Sequence, residues 1–130
     1  MVRLLLDTNV LIALVDARME TLGRERSDAV TAPETALYAS VASLWEIAIK
    51  VRLGKLALHV PTKALPVLIE NMGITLLVID HHHVLTVAEP EPATRDPFDR
   101  LLLAQCQVEN FRLMTLDRAL VDHPLAWQRS

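Results

Sequence analysis

Short apolar segments alternate with longer segments of mixed polarity along this chain. The apolar segments are too short for ordinary helices and end at polar or turn residues, which predicts buried strands. These predicted strands are Val2 to Leu6, Leu37 to Ser40, Ile74 to Ile79 and Arg112 to Thr115. The predicted helices are Val10 to Val15, capped near Thr8 or Asn9, then Val41 to Leu53, about Thr62 to Met72, His81 to Ala88, and Asp96-Pro97 to about Glu109.

The alternation of strands and helices indicates an α/β fold with a short, mostly parallel sheet. About four to five strands are expected, because the tail of the chain is able to add one at an edge. A chain of 130 residues predicts a single domain, residues 1–130, with one core. Ligands of parallel sheets bind beyond the carboxyl ends of the strands, so the residues that follow each strand are the candidates for chemistry.

Composition narrows the class of protein further. Apolar residues make up 52% of the chain, which predicts an ordered globular fold. We expect no membrane association, because no apolar run approaches the roughly 20 residues that span a bilayer. The single cysteine, Cys106, cannot form an internal disulfide, which fits a reducing compartment, and a cytoplasmic protein is expected. Three glycines and no glycine-rich phosphate loop argue against a nucleotide-binding site.

The formal net charge of −3 differs from the basic balance that is usual for a nucleic-acid enzyme. The sum is misleading if several acids hold cations. Should five of the 16 acidic residues do so, 13 basic residues remain against 11 acidic ones. The charge therefore permits an RNA substrate without indicating one.

Acidic residues follow the first and the last predicted strands. Asp7 comes directly after Leu6, and Asp117 comes shortly after Thr115. Each is able to serve simply as the N-cap of the next helix, since aspartate is a preferred capping residue. Both also lie where a ligand site is expected.

Two further acids lie on predicted helices. Glu46 belongs to a helix that is apolar almost all round and therefore buried on most faces, so its carboxylate needs a partner. That partner is either Lys50, one turn further on, or a cation shared with Asp7. Asp96 and Pro97 form a good helix start, while Asp99 leads a row of apolar residues that turns it toward the sheet.

Acids that gather in one crevice repel each other unless a cation offsets their charge. Divalent ions such as Mg²⁺ prefer oxygen ligands and are held in this way. We therefore expect a metal site in which these carboxylates converge.

At these residues the sequence resembles the PIN domain, and specifically a toxin of the VapC family in its DPFDR-type subgroup. The matching segments, in the family's order and spacing, are Leu4 to Ile12 (LLLDTNVLI), Ser43 to Lys50 (SLWEIAIK) with Gly54 to Leu56, Arg95 to Gln105 (RDPFDRLLLAQ) and Met114 to Asp117 (MTLD). The tryptophan–glutamate helix followed by the DPFDR segment is the most specific combination. The resemblance implies a three-layer sandwich with the sheet between helices.

The resemblance also implies roles for individual residues. Asp7, Glu46, Asp99 and Asp117 match the four acidic positions that hold metal in PIN domains, and Asp96 matches an extra acid of the subgroup. Asn9, Ser43 and Thr115 match polar positions that line the pocket, and Arg100 and Lys50 fall on motif positions without an assigned role. The implied activity is that of an endoribonuclease with one or two Mg²⁺ or Mn²⁺ ions and a metal-activated water. A homodimer and a VapB-like antitoxin are the implied partners.

The approach to the DPFDR segment departs from the family pattern, because Thr94 replaces a histidine and two glutamates enter the loop, which puts substrate preference in doubt. Two other interpretations remain. Phosphatases with an aspartyl nucleophile need a second aspartate two positions on, where this chain has Asn9. A non-catalytic interaction module would use the same acids as helix caps and surface charges.

The three histidines from His81 to His83 do not predict a metal site, because adjacent helical residues point about 100° apart. They are interpreted as a solvated or half-buried helix start that Asp80 caps.

Overall fold

The computed structural model describes residues 1–129 and contains a parallel sheet between two layers of helices. The strands are β1 (Val2–Leu6), β2 (Thr35–Ser40), β3 (Ile74–Leu77) and β4 (Arg112–Met114). The helices are α1 (Thr8–Val15), α2 (Arg24–Thr31), α3 (Val41–Arg52), α4 (Leu65–Asn71), α5 (His81–Leu85) and α6 (Pro97–Glu109), with short 3-10 turns at Met19–Leu22 and Thr62–Ala64.

The four strands lie in the order β3-β2-β1-β4, and every pairing is parallel. Leu6 at the end of β1 is in register with Ala39 of β2 and with Met114 of β4. The carboxyl ends of these three strands therefore meet at one edge of the sheet. From β1 the chain adds β2 and β3 on one side, and it then crosses to the other side of β1 to add β4. In open parallel sheets, ligands bind in the crevice at the point where the strand order reverses in this way.

Successive side chains of β1 point to opposite faces of the sheet, so β1 contributes to two separate clusters of the core. Leu4 and Leu6 face a cluster that takes residues from α1 to α4, whereas Leu5 faces a cluster formed mainly by α6 and β4. All three leucines are completely buried. A strand buried on both faces is a continuous apolar run, which explains why the sequence signal for β1 is strong.

The predicted α/β fold is confirmed, with corrections at the ends of its elements. The tail contributes no strand among residues 1–129: it makes a single parallel bridge, Leu113 with Ala126, so the sheet has four strands. The segment from Thr62 begins as a 3-10 turn, and α4 starts at Leu65, because Pro66 suits only the first turn of a helix. Helix α5 ends at Leu85, since Thr86 is already extended.

Candidate active site

Asp7 lies at the carboxyl end of the central strand and is only 5% exposed. Its Oδ1 accepts a hydrogen bond from the Val10 backbone N–H at 2.9 Å, so Asp7 itself is the N-cap of α1. The prediction of a cap near Thr8 or Asn9 was therefore wrong. Its other oxygen, Oδ2, accepts a hydrogen bond from the Thr115 hydroxyl, which follows β4. The cap and the neighbouring strand together fix the direction of this carboxylate.

Glu46 reaches the same edge of the sheet from α3. Thr8 Oγ1 lies 2.6 Å from Glu46 Oε1 and 2.9 Å from Ser43 Oγ. Because a hydroxyl has one proton and an ionised carboxylate can only accept, Thr8 donates to Glu46 and Ser43 donates to Thr8. Glu46 Oε2 pairs with Lys50 Nζ at 2.9 Å. The sequence left Lys50 and a shared cation as alternatives, and the structure places Glu46 beside both Lys50 and Asp7.

The start of α6 brings two more acids to this edge. Asp96 is the N-cap of α6, and its Oδ1 accepts a hydrogen bond from the Phe98 N–H at 2.9 Å. Asp99 lies on the face of α6 that continues with Leu102, Leu103 and Cys106, which are all buried. Docking of this apolar face against the sheet turns Asp99 inward, and the Thr94 hydroxyl lies 3.5 Å from its Oδ2.

Asp117 comes from the loop after β4. Its backbone N–H donates to the Thr115 hydroxyl at 3.0 Å, and its Oδ1 accepts from the Ala119 N–H at 2.9 Å. Thr115 therefore connects Asp117 with Asp7. The Arg26 guanidinium donates to the Thr115 carbonyl at 3.1 Å, which ties this loop to α2.

These acids line one small pocket of about 90 Å³. Its walls are Asp7, Thr8, Asn9, Glu46, Lys50, Asp96, Asp99 and Asp117. Every acid that the sequence analysis predicted for the site thus lies here. Ser43 and Thr115 are buried behind the walls and hold pocket residues by hydrogen bonds. The sequence analysis missed Thr8; the only available signal was its place beside Asp7, directly after a buried strand.

Arg100, another predicted pocket residue, lies outside this pocket. Its guanidinium donates to the carbonyls of Thr94 and Pro92 and pairs with Glu91 at 2.9 Å. Arg100 lines a larger, mainly apolar cavity of about 330 Å³ between α5 and α6. It acts on the acidic pocket only by holding the loop that precedes α6.

The crowding of carboxylates perturbs their ionisation. Burial and, after it, the negative charges of Asp96, Asp117, Asp7 and Glu46 in that order of importance together raise the pKa of Asp99 from 3.8 to about 7. Burial also raises the pKa of Asp7, although the hydrogen bonds from Thr115 and Val10 oppose this rise. The protein and the solvent therefore do not fully offset the negative charge of the carboxylates in this pocket.

A hard divalent cation fits this set of residues. The pocket offers five carboxylates and the oxygens of Thr8 and Asn9, with no sulfur or imidazole among the residues that line it. Oxygen-only donor sets suit Mg²⁺ or Mn²⁺, which retain waters and need few protein ligands. A bound cation would also relieve the repulsion that raises the pKa values of Asp7 and Asp99.

A second group with metal-ligating atoms lies at the other side of α6. Asp80, His83 and Glu109 have ligand atoms within 4.8 Å of one another. His83 is fully buried, whereas the sequence predicted a solvated or half-buried helix start. Both ring nitrogens have partners: Nδ1 accepts from the Asp80 N–H at 3.1 Å, and Nε2 lies 2.7 Å from Glu109 Oε2. Asp80 caps α5 as predicted: its side chain accepts hydrogen bonds from the backbone N–H groups of His82 and His83. Asp80, His83 and Glu109 thus already have hydrogen-bond partners within the protein, and together they connect α5 to α6.

Replacement of Asp80 tests this structural role. In D80A the helix α5 loses its cap, and a lost aspartate cap typically costs about 1 kcal/mol of stability. We expect a lower melting temperature, whereas any activity of the acidic pocket, measured per folded molecule, should stay within about twofold of the parent, because Asp80 does not line that pocket. A D80A protein that melts like the parent but has no activity would show that Asp80 belongs to the site.

The fold and site together define a class: an α/β domain with an oxygen-rich acidic site at the carboxyl edge of a parallel sheet. The PIN-domain family model matches residues 4–124, and the chain belongs to the PIN domain family. PIN domains are generally nucleases that use divalent metals.

The chain is also similar in structure to a solved toxin-antitoxin complex from Klebsiella pneumoniae. The TM-score is 0.56 at 17% sequence identity, over 95% of this chain and 95% of that one. At this identity the likeness shows the fold. Comparison with curated proteins gives no significant match. Within residues 1–129, none of the helices combines the length and the apolar character of a membrane span.

Proposed function

We propose that this PIN domain is a metal-dependent endoribonuclease of the VapC type, DPFDR subgroup, and the toxin of a type II toxin-antitoxin pair. The observation that carries the proposal is the pocket of about 90 Å³ into which five carboxylates from four separate parts of the chain converge. Membership of the PIN family supports the nuclease class. The order of the LLLDTN, SLWEIAIK, DPFDR and MTLD segments supports the subgroup.

In this proposal Asp7, Asp99, Glu46 and Asp117 hold one or two Mg²⁺ or Mn²⁺ ions. A divalent ion there supplies a lowered pKa for water and neutralises charge that develops on the phosphate. Asp7 and Asp99 are the proposed direct ligands, because they are the acids whose pKa values burial and like charges raise. Asp117 serves a second ion or holds a ligand in place, and Asp96 flanks the site.

Glu46 orients the attacking water and takes its proton. Thr8 and Lys50 hold the two oxygens of this carboxylate, so its position is fixed before substrate arrives. A carboxylate has about four acceptor positions, and two donors leave room for a water. The water attacks phosphorus in line with the leaving 3′ oxygen, and the P–O3′ bond breaks. The products carry 5′-phosphate and 3′-hydroxyl ends, and the ribose 2′-hydroxyl takes no part.

The proposed partners are an RNA substrate, a VapB-like antitoxin and a second copy of the chain in a homodimer. The description of the Klebsiella pneumoniae structure as a toxin-antitoxin complex supports an antitoxin partner. Trp45 is 65% exposed rather than in the core and packs only edge-on against Phe98, so a second chain has an aromatic surface to cover. We propose that residues 1–130 form one domain that acts in the cytoplasm, where its RNA substrate is found.

End mapping of cleaved RNA tests the proposed function. We expect the purified protein to cut total RNA at defined positions with Mg²⁺ or Mn²⁺, to stop when EDTA removes the metal, and to leave 5′-phosphate ends. Ends with 2′,3′-cyclic phosphate, or equal cleavage in EDTA, would contradict the metal-dependent mechanism. Absence of cleavage under all metal conditions would favour the interaction module, whose acids are only caps.

A further inference from the structure

Lys50 is the single basic residue among those that line the acidic pocket. It lies one helical turn after Glu46 on α3, and its Nζ is 2.9 Å from Glu46 Oε2. The side chain is 40% exposed, so the ammonium group reaches both the pocket wall and solvent. Partly exposed pairs at this spacing contribute little to protein stability. The stability that the Lys50–Glu46 pair gives to the fold therefore does little to explain why a lysine lies among five carboxylates.

Two basic residues near the site, Arg100 and Arg26, already have partners within the protein. Arg100 donates to Thr94 and Pro92 and pairs with Glu91, which holds it in the loop before α6. Arg26 donates to the Thr115 carbonyl. Lys50 differs, because an ammonium group has three donors and, within residues 1–129, its Nζ is paired with Glu46 alone. At least two of these hydrogens remain available at the mouth of the pocket.

A phosphodiester brought to this pocket meets strong negative charge. Five carboxylates line the walls, and one divalent ion leaves a net negative charge there even after Lys50 is counted. A positive group at the mouth of the pocket therefore favours entry of the RNA backbone, and lysine is a common point-charge ligand of phosphate.

We propose that Lys50 is a substrate-binding residue that contacts a phosphate of the RNA strand beside the proposed metal site while its pairing with Glu46 holds it in place. This inference rests on the proposed function, and it adds the residue of this chain that contacts the RNA backbone. In this role Lys50 acts mainly on substrate affinity.

Binding of RNA to the parent and to K50M tests the role. The probe is a short fluorescently labelled single-stranded RNA, with Ca²⁺ in place of Mg²⁺ and gel electrophoresis to show that it stays intact. Loss of one phosphate contact should weaken binding about tenfold. It should also reduce the slope of log affinity against log salt by about 0.7, the value for one contact to a single strand. In steady-state cleavage with Mg²⁺, KM should rise more than kcat falls.

Two further variants separate this role from a purely structural one. K50R keeps the positive charge and should retain most of the affinity. K63M removes the same charge from an exposed lysine that does not line the pocket, and it should change affinity less than about twofold. Melting temperatures measured in parallel show whether each variant is folded.

The outcomes are distinguishable. An unchanged salt slope and affinity in folded K50M would overturn the inference and leave Lys50 as a partner of Glu46 only. Equal losses in K50M and K63M would also overturn it, because they would reflect overall charge. If the parent protein neither binds nor cuts RNA, the proposed function fails and this inference fails with it.

Discussion

Replacement of Asp7 by asparagine is expected to lower kcat/KM for RNA cleavage by at least about a thousandfold while leaving the protein folded. Asparagine caps helices as well as aspartate does, so the hydrogen bond from the Val10 N–H is retained. The charge that the proposed ion needs is lost, and metal assistance supplies several kcal/mol, of which each 1.36 kcal/mol is a factor of ten. Cleavage of a structured RNA with Mg²⁺, together with a thermal melt, measures both effects.

Asp28 supplies the matched control for this experiment. It is exposed on α2 and is not among the residues that line the pocket, so D28N changes the net charge by the same amount outside the site. Its cleavage rate should stay within about twofold of the parent. A D7N protein that cleaves as fast as D28N would remove Asp7 from the catalytic assignment, and with it the proposed metal centre.

Removal of the Asp99 charge is expected to stabilise the metal-free protein at high pH and to weaken the stabilisation that a metal ion provides. Because the pKa of Asp99 is raised from 3.8 to about 7, the folded chain binds a proton there more tightly than the unfolded chain. The free energy of unfolding therefore falls as pH rises through this range, and the loss is complete above about pH 7. Asparagine has no such loss. Metal-free D99N should melt above the parent at pH 8, and the difference should shrink toward zero as the pH falls to about 4.

Saturating Mn²⁺ at pH 8 should narrow this difference, because it should raise the melting temperature of the parent more than that of D99N. A ligand at a hundred times its dissociation constant stabilises the folded state by about 2.7 kcal/mol, which for a chain of this length corresponds to about 10 °C in melting temperature. D99N should gain less than half of that shift, because it lacks a proposed ligand. A parent protein whose melting temperature ignores Mn²⁺ would contradict metal binding, and a metal-free D99N less stable than the parent at pH 8 would contradict the crowding of like charges.

The sequence predicted the main strands because a strand buried on both faces leaves a continuous apolar run, as at Leu4, Leu5 and Leu6. It predicted which acids would meet, since parallel strands end at one edge and the apolar row after Asp99 required an inward orientation. The common edge at which parallel strands end and the spacing of residues along a helix are both regular features of the backbone. They specify where a side chain starts and which face it occupies.

Side-chain partners were less accessible to prediction, because they depend on distances between elements that are far apart in sequence. The hydrogen bond from Thr8 to Glu46 joins residues 38 positions apart, and Thr115 bonds to Asp7 over 108 positions. The run of three histidines predicted a solvated or half-buried helix start, yet neighbours on α6 bury His83 completely. Arg100 shares a motif with Asp99 but leaves α6 in another direction and contacts the preceding loop.

The position of β4 beside β1 determines when the proposed site is completed during synthesis. Asp7 is synthesised 108 positions before its Thr115 partner, and the Met114 carbonyl that accepts the bond from the Asp7 N–H comes equally late. A nascent chain that ends before Arg112 has neither Thr115 nor Asp117. Under the proposed function, such a fragment lacks part of the acidic pocket, and we expect it not to cut RNA.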